Sequence, residues 1–336
     1  MSQQLSDQSQ LSPVVIVGAG IIGLLVAWQL SRAGRRSVIL DRQSVGRESS
    51  WAGAGILSPL DPDNYPKPVL ELAQKSDELY DKIAKDVSNV VDPELFTCGL
   101  KINRASKETY FPNVKQVRNP RLVRGLAGVL YTRGLSAIKE NTAASSFIVN
   151  RGRLTAVNTS KGELRTSQCV VTAGAWSGML LRCTGLDLPI RPIRGQMLLF
   201  RAVPGLLESV TVVGDKYLLA RRDGRILMGS TVEDVGFDKS TTATAYEELS
   251  SAAYEILPSL RDFRIERHWA GLRPGSPHGI PYIGEHPTVS GLYVCTGHHR
   301  AGFATAPASA RLIVDLLLGA TPSVDPRPYA LDRIDH

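Results

Sequence analysis

Between a β-branched run, Val14 to Val17, and a helical stretch reaching Ala33 stands the hexapeptide Gly18-Ala19-Gly20-Ile21-Ile22-Gly23. A Gly34 stop and a second short strand, Ser37 to Leu40, follow, and Asp41 closes that strand. A bare G-x-G-x-x-G says little, but this one lies where a strand turns into a helix. The segment therefore reads as a complete β-α-β unit of Rossmann type. Gly18 permits the tight turn, Gly20 lets backbone approach a pyrophosphate, and Gly23 allows close helix packing. Asp41 can accept from an adenosine ribose hydroxyl, and the helix N-terminus offers free N–H groups to phosphate. Ile21, Ile22 and Arg42 complete the expected dinucleotide set.

The rest of the chain supplies cover for that unit and a second sheet. At 336 residues with 43% apolar content it can bury a large core, so two interleaved domains are expected. Lys67 to Val90 has the apolar spacing of an amphipathic helix, entered through Pro66 and Pro68, and is expected to pack on a sheet. Phe147 to Val171 reads as a β-meander with turns at Asn150-Arg151-Gly152 and Lys161-Gly162, ending in the strand Cys169-Val170-Val171. Gln196 to Thr231 is strand-rich and broken at Pro204-Gly205 and Asp223-Gly224. A last helix is expected over Ala306 to Leu318, with Pro307 in its first turn and Gly319 past its end.

Several function classes are disfavoured by composition. The net charge is +7, but the basic residues are dispersed and lack interleaved aromatics, so no nucleic-acid partner is expected. The four cysteines, Cys98, Cys169, Cys183 and Cys295, form no C-x-x-C pair and share no zinc spacing with histidine, so neither a metal nor a disulfide framework is expected. The run Val14 to Trp28 is too short and too glycine-interrupted to span a bilayer, and Met1 to Ser12 reads as a disordered polar leader, so a cytoplasmic location is expected.

Eight segments together are similar to the glycine oxidase (ThiO-type) branch of the D-amino-acid oxidase family: GAGIIGLLVAW, ILDR, GRESSWAGAGILSPL, VVTAGAWSG, RGQM, YLLARRDGRILMGST, HWAGLRPGSPHGIPYIG and GHHRAGFATAPAS. The resemblance runs from Val14 to Leu318. It implies an α/β protein with a Rossmann-type, glutathione-reductase-like FAD-binding domain over 13–60, 116–185 and 270–336. A second, mostly antiparallel-sheet substrate domain would span 61–115 and 186–269. FAD would be held non-covalently, Cys295 being a core thiol on a strand. Ser49 and Ser50 would bind the phosphates, and Gly53, Ala54 and Gly55 would let backbone touch the flavin edge. Thr172, Ala173, Gly174 and Trp176 match a second flavin-contacting strand end, and Gly302 and Phe303 match the last cofactor-contacting segment. The helix start Thr305-Ala306-Pro307 would aim its positive end at the flavin.

For the substrate, the resemblance implies a small amino acid whose carboxylate is clamped by Arg273, with Arg300 and Tyr217 assisting. Arginine suits the task because its planar fork makes two charge-assisted bonds. Molecular oxygen would reoxidise the flavin, and a homo-oligomer is an open expectation, as is a place in thiamine thiazole biosynthesis. Alternatives stay open at this point: a dehydrogenase passing electrons to another acceptor, a flavin-binding protein without turnover, and an NAD-dependent enzyme. The sequence departs from the family at Asp41, where Glu is usual, at Ala301, where Asn is usual, and at Asp215 and Val232. The stretch from Gly99 to Asn119 is much shorter than in relatives, which points to a missing active-site lid. His268, His298 and His299 have no partner at ligand spacing and read as packing or solvent-facing residues.

Overall fold

The computed structural model describes residues 12–104 and 107–333. Apart from Ser12, the expected leader lies outside the described residues. Strand β1 (Val14–Val17) enters helix α1 (Ile21–Arg32), and β2 (Ser37–Leu40) follows. Helix α2 (Lys67–Val87), the hairpin β3 (Leu100–Arg104) and β4 (Lys107–Phe111), and helix α3 (Asn119–Arg133) come next. Then come β5 (Ser136–Lys139), the three strands β6 (Ala144–Asn150), β7 (Arg153–Thr159) and β8 (Gly162–Arg165), and β9 (Cys169–Val171). The second half carries β10 (Arg191–Arg201), β11 (Val210–Val213), β12 (Lys216–Ala220), β13 (Arg225–Gly229), α4 (Ala243–Ile256) and β14 (Ile265–Gly275). It ends in β15 (Tyr282–Glu285), β16 (Leu292–Thr296) and α5 (Gly302–Leu318).

Two large sheets organise these elements. One has the order β15-β16-β9-β1-β2-β5, parallel throughout except at β15. Its central strand VVIV is buried along its whole length, because helices on one face and the β6–β8 meander on the other leave no side for water. The other sheet has the order β14-β10-β13-β12-β11-β3-β4 and is antiparallel except where β11 runs parallel to β3. This is the expected α/β architecture with a second, mostly antiparallel sheet. The region after Gly99 forms the antiparallel pair β3–β4 at the edge of that second sheet.

Two helices differ from the sequence reading. Helix α2 buries Leu72, Tyr80, Ile83 and Val87 against α5 and α3, so it covers helices of the dinucleotide unit and does not lie directly on a sheet. Helix α5 begins at Gly302, four residues before the expected start, and Pro307 lies inside it. Proline has no N–H to give the carbonyl four residues back. That carbonyl, on Phe303, accepts instead from the Tyr80 hydroxyl of α2 at 2.5 Å. The packing of the two helices thus replaces the bond the proline removes. The run His299–Leu318, this helix with the short turn before it, is long and apolar enough to cross a bilayer, but 78% of its apolar 18-residue window is buried inside the protein.

Candidate active site

The end of β1 is built to hold something against backbone. Gly18 has φ +112°, and a Cβ there would come 2.5 Å from the Thr172 carbonyl oxygen, so no side chain fits. Gly20 caps α1 without a side chain, so the cap residue itself occupies none of the first-turn N–H groups. The Ile21 N–H donates to the Ser50 hydroxyl at 2.8 Å, tying the short helix Ser49–Ala52 to the start of α1. The Ser49 hydroxyl donates to the Leu272 carbonyl. Gly23 stands inside α1, where a Cβ would collide with the Gly18 carbonyl oxygen, so its role is close packing of helix on strand.

Asp41 follows β2 and accepts from the N–H groups of Ala19 and Gln43, each at 2.8 Å. Burial raises its pKa, outweighing those two donors. Arg42 lies over the Trp176 ring, 3.7 Å from its centre, and pairs with Glu48 at 2.7 Å.

A cavity of about 520 Å³ runs from these groups into the second sheet. Gly18, Gly20, Ile21, Ile22, Asp41 and Arg42 line one end. Ser49, Ser50, Gly53, Ala54 and Gly55 line the cavity too, as do Thr172, Ala173, Gly174 and Trp176 after β9 and Gly302 and Phe303 at the start of α5. Tyr217, Arg273 and Arg300 stand in the wall contributed by the second sheet and the last turn before α5. Of the expected site residues, Gly23 alone lies off this wall. The expected helix start at Thr305 to Pro307 also lies off it: those residues are buried in the second turn of α5, and Gly302 and Phe303 hold the first.

The arginine end has a simple electrostatic character. Arg273 donates from Nη2 to the Ser230 hydroxyl at 2.7 Å and from Nη1 to the Thr231 carbonyl at 3.2 Å. Arg300 donates to the Asp215 carbonyl at 3.3 Å. None of these partners is a carboxylate, so among the described residues neither cation facing the cavity has a direct ion-pair partner, Glu233 acting on Arg273 only through its field. Burial draws the Arg273 pKa down to about 10, which still leaves it charged at neutral pH. Tyr217 is buried beside them, and burial raises its phenol pKa against the pull of both arginines. His299 is held down to about 4 by burial and by the same two charges, so it faces the site as a neutral ring.

Other wall residues have no role assigned to them by the sequence: Thr142 to Ser145, in the turn after β5 and the start of β6, and Met197 and Ser230 on the second sheet's side. Arg221 is the buried support behind the wall. It donates to the carbonyls of Ala54 at 2.6 Å and Val117 at 2.9 Å and to Gln116 at 3.0 Å, fixing the Gly53–Gly55 turn. Cys295, on β16, is buried and borders the cavity.

The FAD dependent oxidoreductase family, DAO, matches residues 13–100 and 90–316. The chain belongs to that family. It is 42% identical to a glycine oxidase of Pseudomonas putida over 94% of this chain and 97% of the relative. It is 30% identical to a bifunctional protein ThiO/ThiG of Synechocystis, over 91% of this chain and 52% of that protein. Among solved structures, a glycine oxidase from Bacillus cereus superposes with a TM-score of 0.86 at 28% identity, covering 91% of this chain and 95% of that one. FAD is therefore the cofactor, as the family requires. The side-chain-free cradle at Gly18 and Gly20, the open helix N-terminus and the carboxylate of Asp41 suit a dinucleotide.

Proposed function

We propose that this member of the family oxidises a small amino acid, glycine first, to the imine, which water then converts to glyoxylate and ammonia. The observation that carries this reading is the pair of cations without a direct carboxylate partner, Arg273 and Arg300, in the wall of a cavity whose glycine turn suits FAD. A carboxylate is the anion that a guanidinium fork matches with two bonds, and the Tyr217 hydroxyl is placed to add a third. Clamping the carboxylate fixes Cα, and orientation of this kind supplies much of the rate in a two-partner reaction. The same cations oppose protonation of the bound amine, enlarging the neutral fraction whose lone pair can drive loss of hydride from Cα. FAD supplies the hydride acceptor, and oxygen reoxidises it with formation of hydrogen peroxide. His299 stands beside the arginines as a neutral ring, but a pKa of about 4 makes it a weak base, and hydride loss asks for none.

On this reading Gly18, Gly20, Asp41 and the first turn of α1 hold the adenosine and phosphates, while Gly53 to Gly55, Thr172 to Gly174 and Gly302 border the flavin. The likeness to the ThiO part of the bifunctional relative supports a place in thiamine biosynthesis as supplier of the glycine imine. The test is a panel of glycine, sarcosine, D-alanine and D-proline mixed anaerobically with the holoenzyme, followed by oxygen uptake. Bleaching of the flavin by glycine and peroxide on admission of oxygen are expected. If no amino acid bleaches the flavin, the proposal fails. Bleaching without oxygen uptake would instead mark a dehydrogenase.

A further inference from the structure

The connection between β13 and α4 reaches out of the second sheet and touches both lips of the FAD cleft. Its base is rigid. The buried Arg194 side chain pairs with Glu233 and, at 2.6 Å, with Asp238, and donates to the Ser240 carbonyl at 3.1 Å. Arg194 and Glu233 also exchange backbone hydrogen bonds at 2.9 and 3.0 Å. The tip is exposed: Phe237 keeps 45% of its surface in solvent, and Lys239 projects beside it.

Four contacts close a ring through that tip. Phe237 stacks on Trp176 with ring centres 5.4 Å apart and planes inclined by 30°. The Arg42 guanidinium covers the Trp176 ring at 3.7 Å, Arg42 pairs with Glu48 at 2.7 Å, and Glu48 pairs with the Lys239 ammonium at 3.1 Å. Lys239 lies two residues from Phe237 along the chain, which completes the circuit. Arg42 follows β2 and Trp176 follows β9, the two strands that flank β1. Their contact therefore crosses the end of β1, above the glycine turn, and Arg42, Glu48 and Trp176 all line the cavity.

We propose that Phe237 and Lys239 are cofactor-retaining residues: they latch the two lips together over the bound FAD, and opening of this latch sets the rate at which FAD leaves. Neither residue lines the cavity, so they act through Trp176 and Glu48 and not by touching the cofactor. An exposed aromatic stack and an exposed ion pair are each weak alone. Arranged in one ring they must break together before the cleft can widen. The inference rests on FAD occupying this cavity and is independent of which amine is oxidised.

The experiment follows FAD release from the holoenzyme as the rise in flavin fluorescence after dilution. Phe237→Ala and Lys239→Ala should each speed release roughly 3- to 10-fold, the doubly substituted protein more, with Lys239→Arg close to native. Raising salt to 0.5 M should speed release from the native protein and less so from Lys239→Ala, which has lost one of the two ion pairs that salt screens in the ring. The melting temperature of the FAD-free protein should stay unchanged in all of them. Unaltered release from the double variant overturns the proposal. So does faster release accompanied by an equal loss of apoprotein stability, which would make the strap a general packing element.

Discussion

The Arg273 guanidinium occupies the space above Gly195 on the neighbouring strand so completely that a Cβ built on Gly195 would collide with its terminal nitrogens. The glycine is therefore a requirement of the arginine's position. Gly195→Ala should push the fork out of line with Ser230 and Thr231 while leaving the FAD cradle untouched. A displacement of about 1 Å costs on the order of 100-fold in a reaction that depends on orientation. We expect kcat/KM for glycine to fall roughly 10- to 100-fold with unchanged FAD content. Near-native turnover would mean that the fork's position does not matter.

Arg273→Lys keeps a charge but loses the fork. Losing one charged hydrogen bond at a buried site costs about 2–4 kcal/mol, roughly 30- to 1,000-fold in kcat/KM, with the flavin spectrum intact. A simple amine without a carboxylate should be a poor substrate of the native enzyme and nearly indifferent to the change. Native efficiency with glycine in this variant would remove the main support for amino-acid oxidation.

Asp41→Ala removes the expected ribose partner and also the acceptor of the Ala19 and Gln43 N–H groups. FAD affinity should weaken by roughly 10- to 100-fold, the cost of one or two hydrogen bonds to a charged group. The protein should still turn yellow at saturating FAD, because the helix N-terminus and the Gly18–Gly20 turn remain. Titration of apoprotein followed by fluorescence quenching measures this, and an unchanged dissociation constant would restrict Asp41 to holding its own loop.

His298 is 3% exposed, and burial drives its pKa to about 3. Its ordinary, unfolded value is near 6.5. The unfolded chain therefore binds the proton first as pH falls, and stability declines with falling pH between about 6.5 and 3. At pH 5 this one group should contribute about 2 kcal/mol less stability than at pH 7. Urea unfolding at both pH values should show the native protein losing that much more than His298→Gln. Equal losses in the two proteins would place the imidazole in contact with water.

Much of the nucleotide end was legible in the sequence because its physics is local. A glycine turn between strand and helix, with a carboxylate at the next strand end, lies within residues 14–41, and the structure shows that unit with its glycines in the cavity wall or in the packing beneath it. Position along the chain also carried Tyr217, Arg273 and Arg300 to one wall, through a family resemblance spread over distant segments. What escaped notice depends on long-range contact. Arg221 looked like part of a dispersed basic pair and is a buried clamp on Ala54 and Val117. The start of α5 was placed too late because Pro307 usually marks a first turn, and nothing near it in sequence shows that Tyr80 satisfies the Phe303 carbonyl. His299 reads in the sequence as a packing or solvent-facing neighbour of Arg300, and only the fold brings the distant Arg273 to bear on it.

The strand order of the parallel sheet has a consequence for how the chain is made. Strand β1 emerges from the ribosome well before its neighbour β9, which ends at Val171, and before the next strand, β16, which ends at Thr296. At a synthesis rate of about 5–20 residues/s, the sheet stays incomplete for roughly 15–60 s after its first strand appears. Throughout that interval β1 and α1, apolar on every side, have no full cover, and non-local pairing of this kind is slow to form even once the strands are present. The nucleotide site is thus completed only once β16 is made, although its glycine signature is translated long before that strand. Nascent chains cut short before β16 would present an open strand edge to each other, to chaperones and to proteases.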